Sequence, residues 1–195
     1  MHDFQLPSLT GRVVRLEPLT ASHSGDLWHI ADPEIFRYKT LIPPAWTPNG
    51  FTEYVHHVAT HPRWRAFAII LLETGQAIGS TSYTDVMPEN RAMGIGATWI
   101  GRPWQGTQVN PECKFMLLRH SFEACDAVRV QIQCDGRNLQ SQRAIEKLGA
   151  VKEGVLRKHL TLPDGYIRDT VVYGVIDSDW PDVRDRLRRR LGYTP

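Results

Sequence analysis

The chain has little of what would mark an exported, metal-clustered or membrane protein. Its three cysteines, Cys113, Cys125 and Cys134, are odd in number and share no CxxC spacing, which argues against a disulfide framework and a cysteine-built zinc cluster. All three read as small buried side chains. No run of about 18 apolar residues occurs, so no membrane-crossing helix is expected. Residues 1–9 lack a charged segment followed by an apolar one, so nothing there reads as an export leader and a cytoplasmic protein is expected. Charge of one sign is not in excess: 23 Lys and Arg against 21 Asp and Glu leave a net charge of +2, too small by itself to indicate nucleic acid. His57 and His61 lie four apart, but the intervening sequence lacks the glutamate of the zinc-protease motif and Pro62 follows at once. No metal site is expected, and His56, His57 and His61 read as solvent-facing residues at a helix end.

What is present fits one domain over residues 1–195, with 42% hydrophobic and 23% charged residues. Residues 11–19 alternate and end at Pro18, a first strand. Ser22 or Ser24 can cap a helix carrying Leu27, Trp28 and Ile30, stopped by Asp32 and Pro33. Residues 36–46 are rich in proline and aromatics, and Pro43, Pro44 and Pro48 exclude a long helix there. Residues 51–60 suit a helix. Two strands, 65–73 and 76–86, flank a turn at Thr74 and Gly75 and should pair antiparallel. Strand 127–135 puts Val128, Val130, Ile132 and Cys134 on one face. A final hairpin, 155–162 and 168–176, turns at Pro163, Asp164 and Gly165. The last helix, 179–191, has Val183, Leu187 and Leu191 on one side and arginines on the other.

The stretch 98–122 organises the rest. Thr98, Trp99 and Ile100 have strand character, residues 101–109 form a loop, and Asn110 with Pro111 reads as an N-cap followed by proline at the first helical position. A loop ending on a helix N-terminus aims unpaired N–H groups and the positive end of the helix dipole at one point, which suits a phosphate. A connecting helix should make the strand after it parallel to the strand before it. Further on, Asn138 can cap a helix that Gly149 ends. Ser141, Ala144, Ile145 and Leu148 follow its i, i+3, i+4, i+7 stripe. A hydroxyl on that stripe either caps a backbone group or faces a ligand.

The segments TWIGRPWQGTQVNPE and NLQSQRAIEKLGAVKEGVLRKH, with the opening LTGRVVRLEPLTASH, resemble the GNAT N-acetyltransferases. Within them they look like the RimJ/RimL branch that acetylates N-termini of ribosomal proteins. The resemblance implies an α/β fold: a mixed, mostly antiparallel central sheet with splayed central strands, flanked by helices. It implies acetyl-CoA as cosubstrate, with the pantetheine arm between the splayed strands and no metal. The phosphate signature falls on Gln105, Gly106, Thr107, Gln108, Val109 and Asn110, with Gln108 standing where glycine is expected and Asn110 where glycine or alanine is. Those two departures bear on cofactor affinity, since a Gln side chain could crowd the pyrophosphate. Asn-x-x-Ser falls on Asn138 and Ser141. The family's Glu-Ile-Gly, whose carboxylate is the usual candidate base, is here Gly94, Ile95 and Gly96. Residues 36–46 would wall the acceptor site or, read without the resemblance, form a surface loop with anchoring aromatics.

Acetyl transfer needs a held donor, a neutral amine, a stabilised oxyanion and a proton for the leaving thiolate. N–H groups from Gly106 through Thr107, Gln108 and Val109 to Asn110 would meet the phosphates, and strand N–H groups of Trp99, Ile100 and Gly101 the arm or thioester carbonyl. Ser141 is the candidate catalytic group at the leaving sulfur, and Asn138 would hold the arm. Without a base at position 94 an α-amine, pKa about 7.7 to 8, is a more economical acceptor than a lysine near 10.4. A protein or peptide N-terminus, or another weakly basic amine, therefore fits the acceptor, with Glu112, Asp135 and Asp169 as alternative bases acting through water. Two rival readings are a non-catalytic acyl-CoA-binding protein on the same fold, motivated by Gly94, Gln108 and Asn110, and an RNA-associated factor using Arg188 to Arg190. Exposed strands and aromatics would allow a homodimer.

Overall fold

A computed structural model describes residues 6–193. Residues 1–5, part of the stretch read for a leader, lie outside the described residues. Strands β1 (Leu9–Thr10), β2 (Val14–Pro18), β3 (Trp64–Leu71), β4 (Ala77–Met87) and β5 (Ala92–Ile100) pair antiparallel in succession. β6 (Arg129–Asp135) then pairs parallel with β5. The hairpin of β7 (Val151–Thr161) and β8 (Ile167–Ile176) joins through β8, giving eight strands in the order β1-β2-β3-β4-β5-β6-β8-β7. Mostly antiparallel pairing with one parallel step is the mixed sheet expected. The step follows from the helix between β5 and β6, because only a crossover returns the chain to the same end of the sheet.

Two helical layers cover the sheet. α1 (Ser24–Ile30) and α2 (Pro48–Ala59) lie on one face, where Leu27, Phe51, Tyr54, Val55 and Val58 pack on Ala66, Ala68, Ile70 and Trp99. α3 (Val109–Arg119), α4 (Leu139–Leu148) and α5 (Trp180–Arg190) share the other face, where Phe115, Met116, Ile145, Leu148, Val183 and Leu187 meet Phe67, Ile69, Tyr83 and Ile95. The period of two in β3 sends Phe67 and Ile69 one way and Ala66, Ala68 and Ile70 the other. The alanines leave room for aromatics from outside the sheet: Phe36 sits 5.2 Å from Trp99 and 5.4 Å from Tyr54, ring centre to ring centre. Each such buried ring contributes roughly 1.5–3 kcal/mol by transfer from water.

Several boundaries differ from expectation for local reasons. α2 starts at Pro48, three residues before the expected position 51, because Thr47 caps it and proline suits the first helical position. A short 3₁₀ turn, Pro33–Phe36, leads into the proline-rich segment before it. β7 begins at Val151 rather than 155, since the sheet register against β8 reaches Gly174. Val128 precedes β6 and is half-buried, while Val130, Ile132 and Cys134 are buried as read. Cys125 is a correction. It follows a π-helical turn, His120–Ala124, at the surface end of the α3 segment, and is only partly buried, whereas Cys113 and Cys134 are buried.

Glu112 ties the layers together. One carboxylate oxygen accepts from Arg12 N at 2.7 Å and Tyr193 OH at 3.0 Å, the other from Val13 N and Val14 N, both at 2.8 Å. At 1% exposure it fastens α3 to the start of β2.

Candidate active site

β5 and β6 pair only from Ala92 opposite Arg129 to Ile95 opposite Ile132. Beyond that, β5 stays with β4 and β6 with β8, and the two strands part. A bulge accompanies the parting: Ser82 faces Gly96 and Ser80 faces Trp99, so Ala97 and Thr98 both stand against Thr81, with Ala97 at φ +51°. The gap opens into a cleft of about 1220 Å³.

One end of the cleft is the loop and the α3 N-terminus. Gly106 has φ +77°, a conformation that favours glycine. Thr107 Oγ1 donates to Trp104 O at 2.7 Å and accepts from Val109 N at 3.3 Å. The helix begins at Val109, with Gln108 in the N-cap position and no side-chain cap, and not at Pro111, which corrects the reading of Asn110 as N-cap. Proline is tolerated inside the first turn because its missing N–H belongs to a position without an intrahelical acceptor. Asn110 lines the cleft instead, and its Oδ1 is buried without a hydrogen-bond partner. Gln105 lines it too, with Nε2 donating to Ile100 O at 2.9 Å. Gln108 is exposed and outside the lining, and Val109 points into the core. Three exposed cations, Arg143, Lys147 and Arg190, join the lining from α4 and α5.

In the middle, Asn138 caps α4: its Oδ1 accepts from Ser141 N at 2.9 Å. Ser141 lines the cleft with its hydroxyl against the Cys134 thiol. Burial pushes that thiol upward, with the hydroxyl pulling the other way. Trp99 and Ile100 line the cleft as well. Gly101 does not, and its N–H is taken by Ile78 O at 3.0 Å.

The far end is walled by Tyr38, Lys39, His159 and Arg168. Position 94 faces Thr84, whose hydroxyl occupies the place a β-carbon would need. No carboxylate can project there without displacing it. The three acids considered as substitutes are committed elsewhere. Glu112 is bound as above, Asp135 pairs with Arg137 at 2.9 Å, and Asp169 Oδ1 accepts from Lys158 N at 2.7 Å.

Residues 14–151 match the family profile described as acetyltransferase (GNAT) domain. The chain belongs to the GNAT family. Among solved structures, a T. thermophilus protein proposed to be an acetyltransferase is 40% identical, with a TM-score of 0.91 over 97% of this chain and 100% of that one. A GCN5-related N-acetyltransferase from Brucella melitensis is 27% identical, with a TM-score of 0.89 over 95% of this chain and 85% of that one. The uncharacterized N-acetyltransferase p20 of Bacillus licheniformis is 24% identical over 152 residues, 77% of this chain and 84% of its own. Mycobacterium smegmatis RimJ, solved with CoA-disulfide, is 22% identical and shares the fold at a TM-score of 0.78 over 94% and 93%. The GNAT chain is thus an acetyl-CoA-dependent acetyltransferase, which displaces the non-catalytic reading.

This GNAT chain also holds polar groups in its cleft that the sequence did not single out. Lys114, on α3, donates to Thr98 Oγ1 at 2.7 Å and reaches Thr81 Oγ1 at 3.5 Å. Lys39 donates to the Thr98 carbonyl from the opposite face of the sheet. Lys39 is half-buried as a residue, but its ammonium sits deep: burial, with Lys114 and Arg168 nearby, pulls it down to about 7. Burial brings Lys114 to about 8. A signal for Lys114 existed, since it stands alone among Cys113, Phe115, Met116, Leu117 and Leu118. Lys39 had none. His61 stacks on Trp64 and meets His57 edge-on, and no group of three His, Cys, Asp or Glu residues suited to a metal occurs among the described residues. None of the described helices is long and apolar enough to cross a membrane.

Proposed function

We propose that the chain transfers an acetyl group from acetyl-CoA to the N-terminal α-amine of a protein or peptide. The observation that carries this is the parting of β5 from β6 into a cleft that begins at the α3 N-terminus. The residues suit the cosubstrate: an open loop at Gly106, Thr107 and Asn110, and exposed cations at Arg143, Lys147 and Arg190; the unpartnered Asn110 Oδ1 is an acceptor and would meet an N–H of the cosubstrate, not its phosphates. The loop N–H groups and helix dipole would hold the phosphates, with the exposed Arg143, Lys147 and Arg190 adding positive charge at that end of the cleft. The gap where β5 leaves β6, just past Ile95 and Ile132, would take the pantetheine arm. When bound, acetyl-CoA supplies an acyl group on a thiolate that is already a fair leaving group.

Ser141 would hydrogen-bond or protonate the leaving sulfur, with Asn138 fixing its backbone and keeping its amide nitrogen for the arm. An α-amine is partly neutral at pH 7, so it asks less of a site in which position 94 carries no base. The cations at the far end strengthen that choice, because like charge disfavours the protonated amine. The fold shared with RimJ supports a protein N-terminus as acceptor.

The test is calorimetric titration with acetyl-CoA and desulfo-CoA, then a peptide screen. Binding of both at about micromolar strength, followed by turnover with a peptide α-amine, is the expected result. Absence of binding would remove the cofactor assignment, and binding with turnover only of other amines would remove the acceptor.

A further inference from the structure

The far end of the cleft gathers three cations and no anion paired with them. Lys39 comes from the loop before α2, Lys114 from α3 and Arg168 from β8. Lys114 is 5% and Arg168 7% exposed. Their partners are neutral: the Thr98 carbonyl for Lys39, Thr98 and Thr81 hydroxyls for Lys114, and the Thr170 hydroxyl for Arg168 at 2.9 Å. None of the three forms an ion pair among the described residues. The carboxylates that line the cleft are engaged elsewhere. Asp135, close enough for Arg168 to feel its charge, is held by Arg137; Asp85 pairs with Arg63, and Glu34 is exposed on its turn. Buried charge without a counter-ion is costly, and the depressed lysine values and the lowered Arg168 record that cost.

The cosubstrate does not supply the missing charge at this place. Its phosphates belong with the α3 N-terminus and the exposed cations, and its pantetheine arm is neutral. A tetrahedral oxyanion is single and transient. What remains is the acceptor. We propose that Lys39, Lys114 and Arg168 receive a carboxylate carried by the acceptor, so that the amine acetylated has an acidic group a few bonds away. The source is either a peptide whose first residue is Asp or Glu or a free acidic amino acid. Polycationic amines would add to the uncompensated charge and are disfavoured. This rests on the reading of the cleft as the acetyl-transfer site.

The experiment uses protein saturated with CoA, which carries no acetyl group, so binding is read without turnover. It is titrated with Asp-Ala-Ala amide, Ala-Ala-Ala amide, Lys-Ala-Ala amide and free aspartate. The acidic peptide should bind about tenfold or more tighter than the neutral one, and the lysine peptide weakest. In Lys39→Met and in Arg168→Gln the acidic preference should fall below about threefold with CoA affinity retained. Lys39 is partly exposed, so its variant keeps the test open if the Arg168 variant does not fold. Aspartate binding as well as the acidic peptide assigns a free amino acid; much weaker aspartate binding assigns a peptide N-terminus. Equal affinity for the three peptides, a preference for the lysine peptide, or no binding of either acidic probe would overturn the proposal. The CoA titration that precedes each run reports separately whether the cofactor reading stands.

Discussion

Two buried charges sit two residues apart on α3 and are treated in opposite ways. The Glu112 carboxylate takes four hydrogen bonds, three from backbone N–H groups of residues 12–14 and one from Tyr193. Lys114 reaches two hydroxyls that already bond each other at 2.7 Å, and the charged group near it in the cleft is the Lys39 ammonium. One helix thus turns a satisfied charge toward the body of the protein and an unsatisfied one toward the cleft. The difference separates a group that holds the fold from one held ready for something else, since an unpaired buried charge persists only where another requirement outweighs its cost.

The largest effect should come from breaking the satisfied side. Glu112→Gln puts an amide N–H₂ against backbone donors and removes charge-assisted bonds, at about 3 kcal/mol or more. That corresponds to a fall of about 6–12 °C in melting temperature, read by thermal scan; a loss under about 2 °C would mean the four bonds do not act together. Within the cleft, Ser141→Ala should lower kcat about tenfold to hundredfold while CoA affinity changes less than about twofold. An unchanged rate would take Ser141 out of the leaving-group role.

Lys114→Met should stabilise the protein at pH 7 by about 1 kcal/mol, because an apolar chain of similar length replaces an unpaired ammonium. The native Lys114 gives up its proton near pH 8, well before the unfolded chain does near 10.5. Between those values the unfolded state binds more protons, so wild-type stability gains from this group as pH rises, and the variant lacks the gain. Urea melts at pH 7 and pH 10 should therefore show the variant's advantage shrinking with pH; an advantage that grows would reverse the assignment. The smallest effect is expected at Gln108→Gly, where an exposed side chain outside the lining is removed. CoA affinity should stay within a few tenths of a kcal/mol, and a large loss would show that the side chain itself binds the cofactor.

Much of the frame was legible because it is written in local chemistry. The Asn138 cap, the Gly149 stop and the Pro163-Asp164-Gly165 turn all stand where residue type and spacing put them. The β3 to β4 hairpin and the parallel step to β6 follow from short and long connections. α3 starts two residues ahead of Pro111 because Gln108 is already helical, so the turn of the preceding loop and not an asparagine cap sets the start. The crowding feared at Gln108 depended on which way one side chain points, which spacing does not say.

Periodicity, caps and turns are short-range, so the sequence alone determined the elements, their order and the stretch at residues 98–122 on which the cleft is built. Tertiary structure decided the electrostatics. That Thr84 fills the space at Gly94, that Glu112 serves the fold, and that Lys114 and Arg168 come near Lys39 from distant parts of the chain depends on strand register and layer packing. Charge interactions inside a protein are set by distance and burial in three dimensions, and neither has a local trace in the chain.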